Sequence, residues 1–363
     1  MSGYLFIFGN SPHLSQAELS VFFPKHELIC PDVAKVEDDL DVTEWIGRLG
    51  GTVKIATIIN EFSILDPTSI AEQLHNISTH KLSFGMSSYS KDFRVQTAFL
   101  QQVKDKLTAG GLSARFVAPK EGNVLSSVVV AKQELIELVV VGKEGEWFVG
   151  QTVEVQDFEE WNRRDYGRPA VDPKAGMLPP KVARMAVNIA RGQGKTLLDP
   201  FCGMGTILGE ALLSGWTVIG SDQSTEVIDK TRKNLEWLKL PEWKLLVSDA
   251  THISEKIPPE SVDAIVTEPF MGSTDIKFKE IKNTIKGLEK LYIGCLKDWL
   301  KILKPGGKVV IALPEYAIGG RTYFVKSAID RCESLGYTVV VGPIDYSRPQ
   351  AIVRRKFYVL KKL

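Results

Sequence analysis

The sequence has few cysteines, and they form no recognisable metal-binding or disulfide pattern. Its 363 residues contain four, which are Cys30, Cys202, Cys295 and Cys332. They lie far apart and no two form a CxxC pair, which argues against a zinc site and against a disulfide framework. We therefore predict no bound metal, and the pattern fits the reducing environment of the cytoplasm.

Long apolar runs are also missing, since no stretch approaches the roughly 18 residues that cross a membrane. The N-terminal segment MSGYLFIFGN is apolar but short, and it lacks both a basic start and a small-residue cleavage site. We interpret it as a first strand. With 44% hydrophobic and 25% charged residues, the chain is predicted to be a soluble, cytoplasmic protein of two or three domains, with no membrane partner.

Net charge is nearly absent, at +1. The charges are unevenly distributed, because residues 1–60 contain four Lys or Arg and eight Asp or Glu, whereas residues 277–308 contain nine Lys and three Asp or Glu. A polyanionic partner would therefore be bound by local basic surfaces and not by the overall charge.

Internal repeats and low-complexity tracts are absent as well. In the N-terminal part, the strand-like runs YLFIFG, TVKIATIIN, LSSVVVAK and ELIELVVVG alternate with helical stretches at residues 69–77 and 97–109. This alternation predicts a small α+β domain or two. The polar, proline-containing segment 162–180 is best interpreted as an ordered linker.

From residue 181 onward the pattern is regular. Helical stretches, predicted at residues 204–214, 225–238, 279–303 and 323–335, separate most of the short apolar strands TLLDPF, TVIGSD, KLLVSD, AIVTEPF, KVVIALP and TVVVGP. Such strands, buried on both faces and joined by helices, indicate an α/β fold with a doubly wound parallel sheet. A final antiparallel hairpin formed by RRKFYVLKK is typical of a class I, Rossmann-like methyltransferase and not of a dehydrogenase.

The turn in LLDPFCGMGTIL is a candidate ligand site. It contains Gly203 and Gly205, but Leu208 stands where the third glycine of a dinucleotide-binding GxGxxG turn would be. Asp199 ends the preceding strand, where a carboxylate would repel a pyrophosphate and attract a cation. S-adenosylmethionine carries a sulfonium and an ammonium group, so it suits this position, and a purely structural turn is the alternative.

Acids also end the next three predicted strands. Asp222 lies 23 positions after Asp199, near the roughly 20-residue offset at which an acid meets ribose hydroxyls in this topology. Asp249 ends the third strand, where an adenine amino group would be held, and Glu268 ends the fourth. Each acid alone could be a turn or cap residue. Together they predict one pocket, because ligands bind at the carboxyl ends of such strands.

Several segments resemble one protein family. LLDPFCGMGTILGEALL and GMLPPKVARMAVNIA resemble the catalytic domain of THUMP-containing tRNA guanosine N2-methyltransferases. LSARFV, LSSVVVAKQEL and WFVGQTVEVQDFEEWNRRDYGRP are similar to a THUMP domain and its linker, and YLFIFGNSPHLSQAELSVFF is similar to the ferredoxin-like start of these proteins. The resemblance covers nearly the whole chain. It implies a ferredoxin-like domain at 1–65, a THUMP-like RNA-binding domain at 66–158, a linker at 159–180 and a catalytic domain at 181–363.

The resemblance implies a cytoplasmic enzyme that methylates N2 of guanosine 10 in tRNA with S-adenosylmethionine. Two alternatives remain open, an amino-methyltransferase that acts on DNA or rRNA bases and a catalytically inactive RNA-binding homologue. The oligomeric state is not predicted. The implied cofactor-binding residues are Asp199, Pro200, Cys202, Gly203, Gly205, Thr206, Asp222, Asp249 and Ala250.

The segment TEPFMG departs from the Asp-Pro-Pro-Tyr or Asn-Pro-Pro-Tyr loop of some methyltransferases that act on base amines. We predict that the Glu268 carboxylate and the Pro269 carbonyl accept the two protons of the amine. Phe270 would stack on the base if the loop turns one residue early, which Gly272 permits, whereas Met271 would pack more weakly. The alternative is an ordinary strand end. No cysteine is placed for a covalent mechanism.

Basic residues in three segments are candidate RNA contacts. In the linker they are Arg163, Arg164 and Arg168, which could instead pair with neighbouring acids. In the lysine-rich stretch they are Lys282 and Lys286, for which a solvated helix face is the alternative. A weaker candidate patch consists of Arg348, Arg354, Arg355 and Lys356.

Overall fold

The computed structural model describes residues 2–78, 81–171, 177–273, 279–347 and 351–363. The chain forms two compact units, Met1–Glu159 and Glu160–Leu363. Among the described residues, no helix is long and apolar enough to cross a membrane.

The N-terminal unit contains a sheet of eight strands in the order β2-β3-β1-β4-β8-β7-β5-β6. The strands are β1 (Ser2–Phe8), β2 (Glu27–Cys30), β3 (Val33–Asp38), β4 (Thr52–Phe62), β5 (Leu82–Ser88), β6 (Ala114–Val117), β7 (Ile136–Lys143) and β8 (Glu146–Val155). The helices are α1 (Pro12–Phe22), α2 (Val42–Arg48), α3 (Pro67–Ile77), α4 (Thr97–Ala109) and α5 (Ser127–Lys132). Strands from both predicted N-terminal domains share this sheet, and a domain division at residue 65 stays a prediction.

The first strand shows why the centre of this sheet is so apolar. Leu5 and Ile7 belong to one buried cluster, whereas Tyr4, Phe6 and Phe8 belong to another. Because side chains alternate between the two faces of a strand, a continuous apolar run means that both faces are covered.

A buried ion pair crosses the same sheet. Lys54 Nζ on β4 lies 2.6 Å from Glu137 Oε1 on β7 and also donates to the carbonyl of Leu125 at 2.7 Å. The second oxygen of Glu137 accepts a hydrogen bond from Thr152 on β8. Burial lowers the pKa of Lys54. Because both charges are removed from water, deleting either partner would leave the other uncompensated.

One strand prediction in this unit is wrong. LSSVVVAK contains the helix α5 and no strand. The hydroxyl of Ser126 accepts the backbone N–H of Val129 at 3.3 Å, and Val130 packs between Leu125 and Leu135. This cap and the packing of one valine outweigh the strand preference of three consecutive valines.

The C-terminal unit is the doubly wound sheet that the sequence predicts. Its strands are β9 (Thr196–Asp199), β10 (Thr217–Asp222), β11 (Trp243–Val247), β12 (Val262–Thr267), β13 (Leu303–Ile318), β14 (Arg321–Phe324), β15 (Tyr337–Tyr346) and β16 (Val353–Lys362). Its helices are α6 (Phe158–Tyr166), α7 (Pro180–Ile189), α8 (Thr206–Leu213), α9 (Thr225–Leu238), α10 (Ile281–Ile302) and α11 (Lys326–Asp330). Of these, α6 begins at the boundary between the units.

The strand order β11-β10-β9-β12-β13-β16-β15 places the topological reversal between β9 and β12. The first five strands are parallel, and β16 pairs antiparallel with both β13 and β15. The predicted final hairpin is therefore confirmed. In such sheets the crevice at the carboxyl ends of the two strands flanking the reversal is the usual ligand site.

Helix predictions in this unit succeed unevenly. The predicted helix at 225–238 matches α9, whose start is capped by Ser224 accepting from the N–H of Val227 at 3.4 Å. The predicted helix at 323–335 is wrong, because residues 321–324 form β14 and only a short helix and a 3₁₀ turn follow. In the predicted linker, α6 extends to Tyr166, and residues 172–176 lie outside the described residues.

Candidate active site

Asp199 lies at the end of β9, next to the reversal of strand order, and only 1% of its surface is exposed. Its Oδ1 accepts hydrogen bonds from the hydroxyl of Thr267 at 2.7 Å and from the N–H of Phe201 at 3.2 Å. Burial raises the pKa of Asp199 to about 7, and the nearby charges of Asp222 and Glu268 act in the same direction. The structure therefore brings three of the four predicted acids close enough for Asp222 and Glu268 to act electrostatically on Asp199.

The glycine turn follows Asp199 and is held from behind by α9. Gly203 and Gly205 have positive φ angles of 48° and 80°, and a Cβ at Gly205 would lie 2.9 Å from Thr231. The hydroxyl of Thr231 donates to the carbonyl of Gly203, and the amide of Asn234 donates to that of Met204 at 2.9 Å. Neither Thr231 nor Asn234 was predicted as a site residue. Two polar residues three positions apart on the apolar face of an amphipathic helix were the available signal.

Other predicted cofactor residues build this turn through their backbones. The carbonyl of Pro200 accepts from the hydroxyl of Ser221 at 3.3 Å, and the N–H of Cys202 donates to the carbonyl of the same serine at 2.9 Å. Burial raises the pKa of the Cys202 thiol well above its usual range, so it stays protonated and unreactive. The hydroxyl of Thr206 accepts from Arg168 at 2.6 Å.

Asp222 and Asp249 both turn the chain after their strands. Asp222 accepts the N–H of Ser224 at 3.0 Å, and Asp249 accepts both the N–H and the hydroxyl of Thr251 at 2.8 Å. The bonds from Thr251 lower the pKa of the exposed Asp249. Ala250 is buried, and its carbonyl accepts from the indole of Trp299 at 3.0 Å. Contact of these residues with a cofactor stays a prediction.

Glu268, directly after β12, forms an ion pair that the sequence did not predict. Its Oε1 accepts from Nε of Arg355, a residue of β16. The two side chains are 17% and 15% exposed, so the pair is largely shielded from solvent. From the sequence, Arg355 was assigned only to a weak basic patch. Its pairing with Glu268 was not predicted, because 87 positions separate the two residues.

The loop after Glu268 is fixed by two tyrosines. The hydroxyl of Tyr292 on α10 donates to the carbonyl of Phe270 at 2.7 Å, and that of Tyr316 on β13 donates to the carbonyl of Met271. Burial raises the pKa of both tyrosines, that of Tyr316 to about 12, so both remain donors. Gly272 has a φ of 81°, and a Cβ there would lie 2.4 Å from the Tyr316 hydroxyl.

These bonds leave the Phe270 side chain 62% exposed, whereas Pro269 is buried. An exposed aromatic ring on a fixed backbone is suited to stacking against a base. Stacking by Phe270 and proton acceptance by the Pro269 carbonyl both stay predictions.

The linker arginines have protein partners, as their alternative interpretation expected. Arg163 pairs with Glu160 at 2.7 Å, and Arg164 pairs with Glu160 at 3.0 Å and Glu210 at 2.7 Å. The side chains of Arg164 and Arg168 are 9% and 4% exposed, which leaves little surface for a polyanion. RNA contact by these arginines stays a prediction, which the burial of Arg164 and Arg168 does not favour.

The lysines of α10 are different, since Lys282 and Lys286 are exposed and, within the described residues, take part in no recorded ion pair. In the weaker patch, Arg354 approaches Glu315 at 3.9 Å and Lys356 pairs with Asp345 at 2.5 Å. Arg348 lies outside the described residues.

The chain is similar to known methyltransferases. The family model of the RMKL-like methyltransferase domain matches residues 168–319. The chain is 26% identical over 366 residues to the tRNA (guanine(10)-N2)-dimethyltransferase of Pyrococcus abyssi (strain GE5 / Orsay), with 99% of both chains covered. It is 35% identical over 114 residues to the probable tRNA (guanine(10)-N2)-dimethyltransferase of Methanothermococcus thermolithotrophicus, covering 29% of this chain and 70% of that protein.

A solved structure shares the fold. The crystal structure of TrmN from Thermus thermophilus aligns over 100% of both chains with a TM-score of 0.59 and 19% identity. The similarity extends through both units, so the arrangement of elements in each has a counterpart of known structure.

Proposed function

Because the chain belongs to the methyltransferase family of the tRNA (guanine(10)-N2)-dimethyltransferases, we propose that it methylates the N2 amine of guanine in tRNA. By the name of these relatives, the target is guanosine 10. The observation that carries the proposal is the position of Glu268 and Pro269, directly after β12 and within the electrostatic field of Asp199 at the reversal of strand order.

The pocket fits S-adenosylmethionine as the methyl donor. Burial, aided by the charges of Asp222 and Glu268, raises the pKa of Asp199 and so favours its neutral form. A cationic ligand would reverse this preference, because an opposite charge favours the ionised carboxylate. The backbone of Gly203 and Gly205 allows the close approach that a ligand at this turn needs. When bound, this cofactor supplies an electrophilic methyl group.

The chain's own residues then prepare the amine. The lone pair of a guanine N2 is delocalised into the ring, which makes it a poor nucleophile. Glu268 and the carbonyl of Pro269 accept its two hydrogens and turn the lone pair outward, and Glu268 removes the proton that the methylated amine loses. Such preorganised acceptors act strongly in a site that excludes water. Phe270 stacks on the base and holds it in line for transfer.

The N-terminal unit supplies the tRNA-binding part of the proposal. We assign residues 1–65 to a ferredoxin-like domain, 66–158 to a THUMP-like domain and 159–180 to the linker, with catalysis in 181–363. A separate RNA-binding unit favours tRNA over the rival substrates DNA and rRNA. The remaining rival, an inactive RNA-binding homologue, would bind the cofactor and transfer no methyl group.

Methyl transfer to unmodified tRNA is the direct test. The protein is incubated with tritiated S-adenosylmethionine and unmodified tRNA, rRNA fragments or DNA, and the labelled nucleoside is identified after digestion. We expect N2-methylguanosine or N2,N2-dimethylguanosine from tRNA alone, lost when position 10 is adenosine. Label in adenosine or in DNA would refute the proposal, and cofactor binding without label in any substrate would identify the inactive rival.

A further inference from the structure

The ion pair between Glu268 and Arg355 occupies the acceptor that the proposed function assigns to the substrate amine. Nε–H of Arg355 points at Oε1 of Glu268. Arg355 is fixed by its strand, since β16 pairs it with Pro314 of β13 on one side and with Tyr346 of β15 on the other. Its guanidinium also lies 5.9 Å from the ring of Tyr346. The carboxylate is thus engaged by a nitrogen donor of the protein itself.

A guanidinium and the Watson–Crick edge of guanine present similar chemistry. Each is a planar N–C–N group with N–H donors on adjacent nitrogens, and guanine uses N1–H and the N2 amine. Carboxylates bind such paired donors well. Adenine and cytosine carry an unprotonated ring nitrogen beside their amine, and its lone pair would repel a carboxylate oxygen. A carboxylate that binds a guanidinium is therefore suited to guanine and unsuited to the other two bases.

From this we infer that Arg355 takes the place on Glu268 that the Watson–Crick edge of guanine takes during the reaction. This inference rests on the proposed function. Glu268 then selects guanine through N1–H as well as accepting from N2, and Arg355 is a positioning residue that the base displaces.

The loop geometry permits this exchange without rebuilding the site. Tyr292 and Tyr316 hold the carbonyls of Phe270 and Met271, so the loop backbone stays fixed when the ion pair opens. Only the side chains of Glu268 and Arg355 need to rotate. Glutamate has one more rotatable bond than the aspartate of the usual loop, which lets its carboxylate face either donor.

Base analogues test the selection. 2-Aminopurine keeps the N2 amine of guanine but has an acceptor at N1. At the target position in tRNA, it should be methylated by the wild type roughly 10- to 100-fold less efficiently than guanine, as measured by kcat/KM. Glu268→Gln can donate to that acceptor and still accept from N2, so it should reduce or invert the preference.

If Glu268→Gln transfers no methyl group to either base, the same comparison is made by binding. The fluorescence of 2-aminopurine reports its entry into the site, and competition with guanine-containing tRNA gives the preference. The inference is overturned if Glu268→Gln keeps the wild-type preference for guanine over 2-aminopurine, or if the wild type uses both bases equally. In either case, methylation of guanine by the wild type leaves the proposed function intact. A wild type that methylates no guanine overturns both.

Arg355 is tested separately by its effect on KM. Arg355→Met removes the competing donor, so KM for tRNA should fall by roughly two- to fivefold, within the range measured for partly exposed ion pairs. The matched control is Arg354→Met, since Arg354 only approaches Glu315 at 3.9 Å and is not part of the site. Arg355→Lys should restore the wild-type KM. If Arg355 merely supports the loop, Arg355→Met lowers kcat without lowering KM, and the displacement is refuted.

Discussion

Replacing Asp199 with asparagine should make the cofactor-free protein more stable at pH 8 while depriving it of its cofactor. Burial raises the pKa of Asp199 from 3.8 to about 7. An acid with a raised pKa contributes stability that is fully present below about pH 4 and is lost as the pH rises through 7. Above pH 7, the folded protein therefore bears the cost of an ionised carboxylate in a buried site.

The magnitude follows from the shift of about three pKa units, each worth about 1.4 kcal/mol. The free energy of unfolding should thus be lower by about 4 kcal/mol at pH 8 than it would be with a neutral group. Asparagine keeps an acceptor for Thr267 and for the N–H of Phe201, which both bind Oδ1. Its amide nitrogen replaces Oδ2, and an unsatisfied amide costs about 1–3 kcal/mol. We expect a net gain of about 1–3 kcal/mol.

Urea unfolding of Asp199→Asn and wild type, at pH 5 and pH 8 without cofactor, measures this difference. The gain should be present at pH 8 and absent at pH 5. Asp249→Asn is the contrasting control, because hydrogen bonds from Thr251 lower the pKa of Asp249 and its contribution to stability is lost only below about pH 4. Its effect on stability should therefore be the same at pH 5 and pH 8. A gain of equal size at both pH values, or a variant less stable at pH 8, would refute the reasoning.

The remaining predictions concern binding and turnover. In calorimetry, the affinity of the wild type for S-adenosylmethionine should rise by up to tenfold per pH unit until about pH 7. Asp199→Asn should bind this cofactor at least about 2 kcal/mol more weakly, and its affinity should not depend on pH in this way. Asn234→Leu should loosen the glycine turn and weaken cofactor binding in the same assay, and unchanged affinity would contradict the role given to α9. Glu268→Gln should retain cofactor and tRNA binding, but its kcat should fall by a factor of about 10² or more, which is about the effect of one preorganised contact. If Glu268→Gln keeps wild-type turnover, the loop is an ordinary strand end. Phe270→Ala should destabilise the productive complex by about 1–3 kcal/mol, and Met271→Ala should destabilise it less. The isolated unit 160–363 should bind cofactor but methylate tRNA poorly, and tRNA binding by the full chain should weaken steeply with salt.

The centre of the C-terminal sheet was predictable because β9, β10 and β12 are short, isolated apolar runs. Both faces of these strands are buried, and Asp199, Asp222 and Glu268 follow them directly, so local sequence placed all three at one edge. The bounds of α9 were predictable for a similar reason, since Ser224 marks its start.

The partners of those acids were not predictable from local sequence. Arg355 reaches Glu268 only because β16 inserts between β13 and β15, and no pattern around either residue encodes that insertion. Likewise, the sequence around Arg164 does not predict its ion pair with Glu210, because the two residues are brought together only by the packing of α6. The valines of LSSVVVAK failed as a strand signal because the cap at Ser126 and one buried position decided the local structure.

The hydrogen bonds from Tyr292 and Tyr316 end on backbone carbonyls, which every amino acid possesses. Exchanging the side chains at 270 and 271 therefore leaves the course of the loop intact. The residues that support the loop are therefore separate from the side chains that would contact the base. Substitutions at 270 and 271 can change the contacts with a base, one at a time, while the loop backbone keeps its support. The restricted positions are the two tyrosines and Gly272, whose missing Cβ leaves room for the Tyr316 hydroxyl.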